Sequence, residues 1–376
     1  MKHILTPAFL LALTLNSLAQ TTPMNVTTTA VPFLSISPDA RSGGMGDMGL
    51  ATGPDVFSGL HNAAKMPFAT ERGVIGINYT PWLHDIVQDM YLLSAAGYHQ
   101  LDPNQALSAS LRYFNLGDVT ISDYSGNKVT TSHPREYSFD LGYSRKLSDQ
   151  LGLGLTVRYI HSDLANGSVN GTNYKAGNAV AADVSLYYDG RSRNGGTGDA
   201  SGDERGSGWT AGFVLSNLGS KISYTNDATA KDFLPANIGA GAGYTGVIDE
   251  DNKFTLSGEA NKPLVPLAPG DSAGQADYHT MSLTKSWTKS FNNSAYRFSA
   301  GGEYGYKNLF FVRLGYTVQT QEAGDLKYWT AGLGLKWTTM GLDLSYIVPA
   351  GNGVTRNPLS NTFRLGLSFA IGKERK

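Results

Sequence analysis

Cysteine is absent from this 376-residue chain. That excludes disulfide frameworks, cysteine-zinc sites and thiol catalysis. An excess of charge is absent too. With 30 basic and 31 acidic residues the formal charge is −1, so there is no basic footprint for nucleic acid. No apolar run is long enough for a membrane-crossing helix, and mean hydropathy is mildly polar at −0.22. Proline is sparse at 15 residues. Glycine (45) and tyrosine (20) are abundant. Glycine and aromatics with few prolines suit a closed sheet edged by aromatic girdles.

The ordering of residues carries the stronger signal. In Thr362–Phe369, Phe363, Leu365, Leu367 and Phe369 share one face. Thr362, Arg364, Gly366 and Ser368 share the other. The same alternation runs through 137–144, 151–160 and 310–319. Apolar-out, polar-in alternation over ~10 residues marks a strand crossing a bilayer. About fourteen such stretches follow Gly73, the last at 361–370. The fold class expected is an all-β, antiparallel transmembrane barrel. Bacterial barrels alternate short periplasmic turns with longer outer loops. That parity holds if 263–294 is one large outer loop with a helical turn, and fails if 278–289 is an extra strand. Residues 190–207, long and Gly-rich, break the rule on the periplasmic side. They read either as a tolerated insertion or as an arm for a periplasmic partner.

Residues 1–19 read as a signal peptide, with Lys2 and His3 before an apolar stretch and Ser17 and Ala19 before a cut at Ala19/Gln20. Residues 20–32 read as a flexible leader. Residues 33–70 read as a compact segment of turns and short helices, 71–370 as the barrel and 371–376 as a tail.

Charges of both signs fall on the polar faces of the strands. Arg112, Arg158, Arg297, Arg313 and Arg364 stand against Asp140, Asp183, Glu303 and Asp343. Lys336 and Glu259 join them. A charge facing lipid near the bilayer midplane costs about 2–4 kcal/mol, so these point inward. Their balance implies a lattice of ion pairs in a narrow lumen. No catalytic, cofactor or metal constellation emerges, and an enzyme is not expected. His161, Ser162 and Asp163 are adjacent on a strand and face opposite sides.

Ser37-Pro38-Asp39-Ala40-Arg41-Ser42-Gly43-Gly44-Met45-Gly46-Asp47-Met48-Gly49-Leu50-Ala51-Thr52, followed by His61-Asn62-Ala63-Ala64-Lys65-Met66, resembles the N-terminal hatch of FadL-like outer-membrane barrels. Asp39, Arg41, Gly43, Gly44, Gly46 and Asn62 carry the likeness. Where that family often has Asn-Pro-Ala, this chain has Asn62-Ala63-Ala64. Within the superfamily the chain is similar to the PorV family of the type IX secretion system. The stretches Tyr79–Leu83, Gly341–Pro349 and Pro358–Arg364 carry that likeness. It implies a fourteen-stranded barrel plugged by residues 33–70, located in the outer membrane. It also implies partners: a giant translocon barrel, the C-terminal signal domains of secreted cargo and a sortase-like attachment complex. The alternative within the superfamily is a channel for hydrophobic small molecules. Pro81, Trp82 and Leu83, with Leu264, Val265 and Leu267, are expected as apolar partner contacts on the outer loops. Trp82 reads equally as part of an aromatic girdle.

Overall fold

The computed structural model describes residues 25–83, 87–122, 128–165, 167–169, 172–191, 206–227, 231–349 and 361–371. The signal peptide, most of the Gly-rich turn at 190–207, the loop 350–360 and all but the first residue of the tail lie outside these residues.

Fourteen antiparallel strands close a barrel. They are β1 (Gly73–Pro81), β2 (Met90–Asp102), β3 (Gln105–Leu116), β6 (Arg135–Lys146), β7 (Leu151–Asp163), β10 (Gly177–Asp189), β11 (Gly208–Gly219), β12 (Asn237–Val247), β13 (Asn252–Pro263), β14 (Arg297–Tyr306), β15 (Phe310–Gln319), β16 (Lys327–Trp337), β17 (Met340–Pro349) and β18 (Phe363–Ala370). Each pairs with its sequence neighbours in the wall, and β18 closes on β1 with Val74 opposite Ala370. Closure leaves no strand edge unpaired, which the bilayer core demands. Two small hairpins complete the strands: β4 (Val119–Ser122) with β5 (Lys128–Ser132), and β8 (Gly167–Val169) with β9 (Thr172–Tyr174). Both sit within long connections, where the sequence reading placed only loop.

The outer wall is apolar. On β6, Phe139, Leu141 and Tyr143 are exposed, whereas Ser138, Asp140 and Ser144 are buried. On β7, Leu155, Val157 and Tyr159 are exposed, whereas Thr156 and Arg158 are buried. An exposed apolar band is stable only against lipid. The wall's pairing shifts register at two places among the described residues: between β2 and β3 at Gln100–Asp102, and between β10 and β11, where a bulge skips Asp183 and Asn217 takes a left-handed φ of 56°.

Tight turns join the strands at one end, where 190–207 is the one long connection; the other long connections lie at the opposite end. The connection from β13 to β14 carries α3 (Ser272–Thr280) and α4 (Leu283–Lys289) and no barrel strand. Asp271 caps α3 by accepting from the Gly274 amide, and Ser282 caps α4 through the Lys285 amide.

Residues 33–70 fold against the inner wall as α1 (Ala40–Gly44), α2 (Ser58–His61) and a 3-10 turn Ala63–Phe68. Most of these residues are buried. Residues 25–32, expected as a loose leader, instead run under the long loops. Hydrogen bonds hold them to three of those loops: the Thr27 amide donates to the Glu322 carbonyl (2.9 Å), the Ala30 amide to the Phe233 carbonyl (3.0 Å) and the Asn25 amide side chain to the Ala268 carbonyl (2.9 Å).

Candidate functional site: a hatch seated in a charged lumen

The hatch is held by glycine contacts and by ion pairs. Asp39 caps α1: its carboxylate accepts from the Ser42 amide (2.8 Å) and hydroxyl (2.6 Å) and meets His61 Nε2 at 2.8 Å. Burial pushes the Asp39 carboxyl up, but His61 and Ser42 outweigh it and hold the group well below the usual carboxylate range. Gly43 packs under the Arg364 guanidinium, and Gly44 lies on Gly332. Gly46, at φ 76°, lies against the backbone of Tyr316. There the Gly46 amide donates to Thr330 Oγ1 (2.8 Å), and Thr317 Oγ1 donates to the Gly46 carbonyl (2.7 Å). Asn62 ties the second half down, donating to the carbonyls of Leu50 and Leu186 at 2.9 Å each.

Most of the lumen charges gather into two clusters. In one, Arg158 donates to Asp140 (2.8 and 3.0 Å) and to Asp183 (3.2 and 2.9 Å), and it also bonds Asn217. Arg112 reaches Asp140 only at 3.8 Å and donates to the Leu34 carbonyl at 3.1 Å. In the other, Glu303 accepts from Arg313 (2.5 Å) and from Arg41 of the hatch (3.2 and 3.1 Å). Arg313 also donates to Asp343 at 2.5 Å. Arg41 spans back to Asp55 at 3.0 Å, so it links hatch to hatch and hatch to wall. Burial works against the Arg41 charge, but Glu303 and Asp55 more than offset it and raise its affinity for the proton. Glu259 accepts the amides of Gly49 and Leu50, both at 3.0 Å, and Lys336 pairs with Glu71. Arg297 makes no ion pair among the described residues.

Several working residues were not singled out from the sequence. Asp47 pairs with Arg364 (3.0 Å) and accepts from Tyr328 (2.6 Å). Lys65 is fully buried, with its ammonium donating to the Gly49 carbonyl at 2.7 Å. Burial pulls its pKa down. Both sit on the hatch, where no alternation separates inward from outward positions. Phe33 is also fully buried, stacked on Phe114 at 6.3 Å with the Arg112 guanidinium 5.9 Å from its ring centre.

The expected outer-loop contacts stand differently. Leu264 and Val265 are buried, at 5% and 1% exposure, and Leu267 is half-buried. Val265 packs with Phe233 and Tyr278 beneath the loops. Pro81 ends β1 and is buried, and Leu83 is half-buried. Trp82 packs edge-on to Phe114 at 6.4 Å. The expectation of an exposed apolar tip is therefore corrected. These side chains fill the space over the lumen, because leaving them in water would waste their burial.

Two cavities flank the hatch and share no lining residue. One of about 240 Å³ lies toward the short turns, between Arg41, Glu71, Arg313 and Lys336. The other, about 330 Å³, lies toward the long loops, lined by Arg112, Arg158, Arg297, Asp183 and residues 34–38.

A closed, fourteen-stranded barrel with an apolar outer band and a charged, filled lumen defines an outer-membrane protein of FadL-like architecture. Among solved structures, the chain is similar to the CymD monoaromatic hydrocarbon channel at 10% identity, with a TM-score of 0.51, over 90% of this chain and 98% of that one. It is also similar to the Ralstonia pickettii toluene transporter TbuX (10% identity, TM-score 0.49, 88% and 97% covered). A Pseudomonas aeruginosa FadL homologue matches at 10% identity and a TM-score of 0.46, over 92% and 99%. At these identities the likeness is one of fold alone. No curated protein matches the sequence.

The sequence model described as type IX secretion system protein PorV matches residues 19–270, more than half of the chain. The chain belongs to the PorV family and is an outer-membrane component of type IX secretion.

Proposed function

We propose that this barrel is a non-catalytic carrier. In this reading it binds the folded C-terminal signal domain of exported proteins at the giant translocon barrel and passes them to a sortase-like attachment complex on the cell surface. The observation that carries the reading is the PorV-family match over 19–270. The filled lumen supports it. Glycine backbone contacts, Arg41–Glu303 and Asp47–Arg364 seat the hatch against the wall, so a binding role belongs to the ends of the barrel. The long-loop end offers the broader surface, with α3, α4 and the hairpin β4–β5.

A channel for hydrophobic small molecules needs an unfilled apolar chamber. The largest apolar cluster under the long loops is instead occupied by the chain's own Val31, Phe33 and Leu34.

The test is affinity purification of the tagged protein from its native outer membrane, followed by mass spectrometry. Co-purification of a very large barrel and of secreted proteins still bearing their C-terminal domains is expected. Recovery of the barrel alone, with bound fatty acid or other apolar small molecules, would overturn the reading.

A further inference from the structure

The segment Asn25–Leu34 behaves as a ligand of its own barrel. Residues 25–30 have no helix or strand of their own, Pro32–Ser35 forms a 3-10 turn, and the segment's long-range bonds run to other parts of the chain. The Thr27 and Ala30 amides donate to the carbonyls of Glu322 and Phe233, and Tyr278 donates to the Thr28 carbonyl at 3.4 Å. Those partners belong to three separate loops at the long-loop end. The segment then turns inward at Val31, whose φ of 46° and ψ of 52° are left-handed. For a β-branched residue that region is a true outlier, and such strain persists only where surrounding contacts enforce it. The enforcing contact is Phe33, fully buried against Phe114 within a cluster that includes Leu92, Ile160 and Ile222. Beneath it lies the 330 Å³ cavity lined by Thr27, Thr29 and Pro32 on the strap side. A backbone tied at the Thr27 and Ala30 amides, an aromatic anchor in the 3-10 turn and one strained residue between them make a detachable arrangement.

We propose that Asn25–Leu34 is an intramolecular competitor occupying a peptide-docking groove. The groove takes an extended partner segment that pairs with the Phe233 and Glu322 carbonyls and places an aromatic side chain on Phe114. Extended-peptide sites commonly combine backbone bonds for affinity with side-chain pockets for specificity. A tethered segment competes at millimolar effective concentration, so the intact barrel binds such a peptide weakly. The proposal stands on the strap's geometry and holds whether or not the barrel carries cargo.

The experiment uses a fluorescent synthetic peptide covering residues 25–36 and the detergent-solubilised barrel. Two forms are compared: the mature chain and one lacking residues 20–34. Fluorescence anisotropy should show the truncated barrel binding the peptide at least ~10-fold more tightly than the intact one. A Phe33→Ala peptide should lose that binding. No binding to a truncated barrel that keeps its heat-modifiable electrophoretic mobility would overturn the proposal. Equal binding by both forms would do the same. If the truncated chain does not fold, full-length Phe33→Ala decides. Faster hydrogen exchange at the Thr27 and Ala30 amides, with strand amides unchanged and peptide binding gained, supports the competitor. Unchanged exchange at those two amides overturns it.

Discussion

Gly44 of the hatch and Gly332 of β16 meet backbone to backbone. A Cβ on Gly44 would lie 2.9 Å from the Gly332 Cα, and one on Gly332 would lie 3.0 Å from the Gly44 Cα. Neither partner is a flexible side chain, so neither gives way. Gly44→Val should unseat the hatch, with a cost of about 1–3 kcal/mol from overpacking. The barrel's own ladder is untouched. The expected result is protease cleavage within residues 33–70 while the barrel keeps its heat-modifiable migration. Gly332→Val should do the same, and the double variant should cost less than the sum, because both changes break one contact. A hatch that resists protease in Gly44→Val would sink the idea.

Arg158 is the hub of one charge cluster, 2% exposed and shared between Asp140 and Asp183. Arg158→Met leaves two buried carboxylates with only Arg112, 3.8 Å from Asp140, as a counter-charge. Breaking a buried pair on one side costs about 3–5 kcal/mol. Thermal unfolding of the refolded barrel in detergent should show a clearly lowered midpoint. Adding Asp140→Asn and Asp183→Asn to Arg158→Met should restore much of it, since the penalty lies in the uncompensated charges. A single variant with an unchanged midpoint would mean that the lumen is wet enough to solvate both acids.

The strands were legible because the bilayer enforces a period of two. Leu155, Val157 and Tyr159 must face lipid, and Thr156 and Arg158 must then face the lumen. Loop parity was legible for the same reason, and it placed α3 and α4 in a loop. Pairing within the lumen was not legible. Arg41 meets Glu303 across 262 residues, and only the fold sets that distance. Asp47 and Asp55 reach their arginines from a hatch with no alternation to betray orientation. Leu264 and Val265 misled because an apolar loop residue reads alike whether it projects outward or folds back over the lumen mouth. The bulge that turns Asn217 toward Arg158 left no mark in composition either.

The carrier reading needs a surface, and the exposures choose which residues probe it. Val265→Asp buries a charge beside Phe233 and Tyr278 and should disorder the long loops, so its loss of partner binding would be uninformative. Phe291, after α4, is 59% exposed at the same end. Phe291→Asp should leave the stability within about 0.5 kcal/mol of the parent, as for most surface changes. It should nevertheless reduce recovery of secreted proteins in the affinity purification. Undiminished recovery would remove Phe291 and its surroundings from the candidate contact surface.

Asp39 gives a pH dependence with a definite sign. Its folded-state pKa lies below its ordinary value because His61 and Ser42 favour the ionised carboxylate over the cost of burial. The ionised group therefore stabilises the seated hatch. That contribution is fully present above the ordinary aspartate value of about 3.9 and is lost as pH falls through the lower folded-state value. Asp39→Asn keeps an oxygen to accept the Ser42 amide but removes the charge. At pH 7 it should loosen the hatch by about 1.5–3 kcal/mol, the usual worth of hydrogen bonds to a charged group. The readout is hydrogen exchange at the Ser42 and Gly43 amides, which bond to the Asp39 side chain and carbonyl. After correction for intrinsic exchange, the gap between parent and variant should narrow as pH drops below about 4. A gap that stays constant from pH 7 to pH 3 would show that the cap's shape, and not its charge, holds α1 in place.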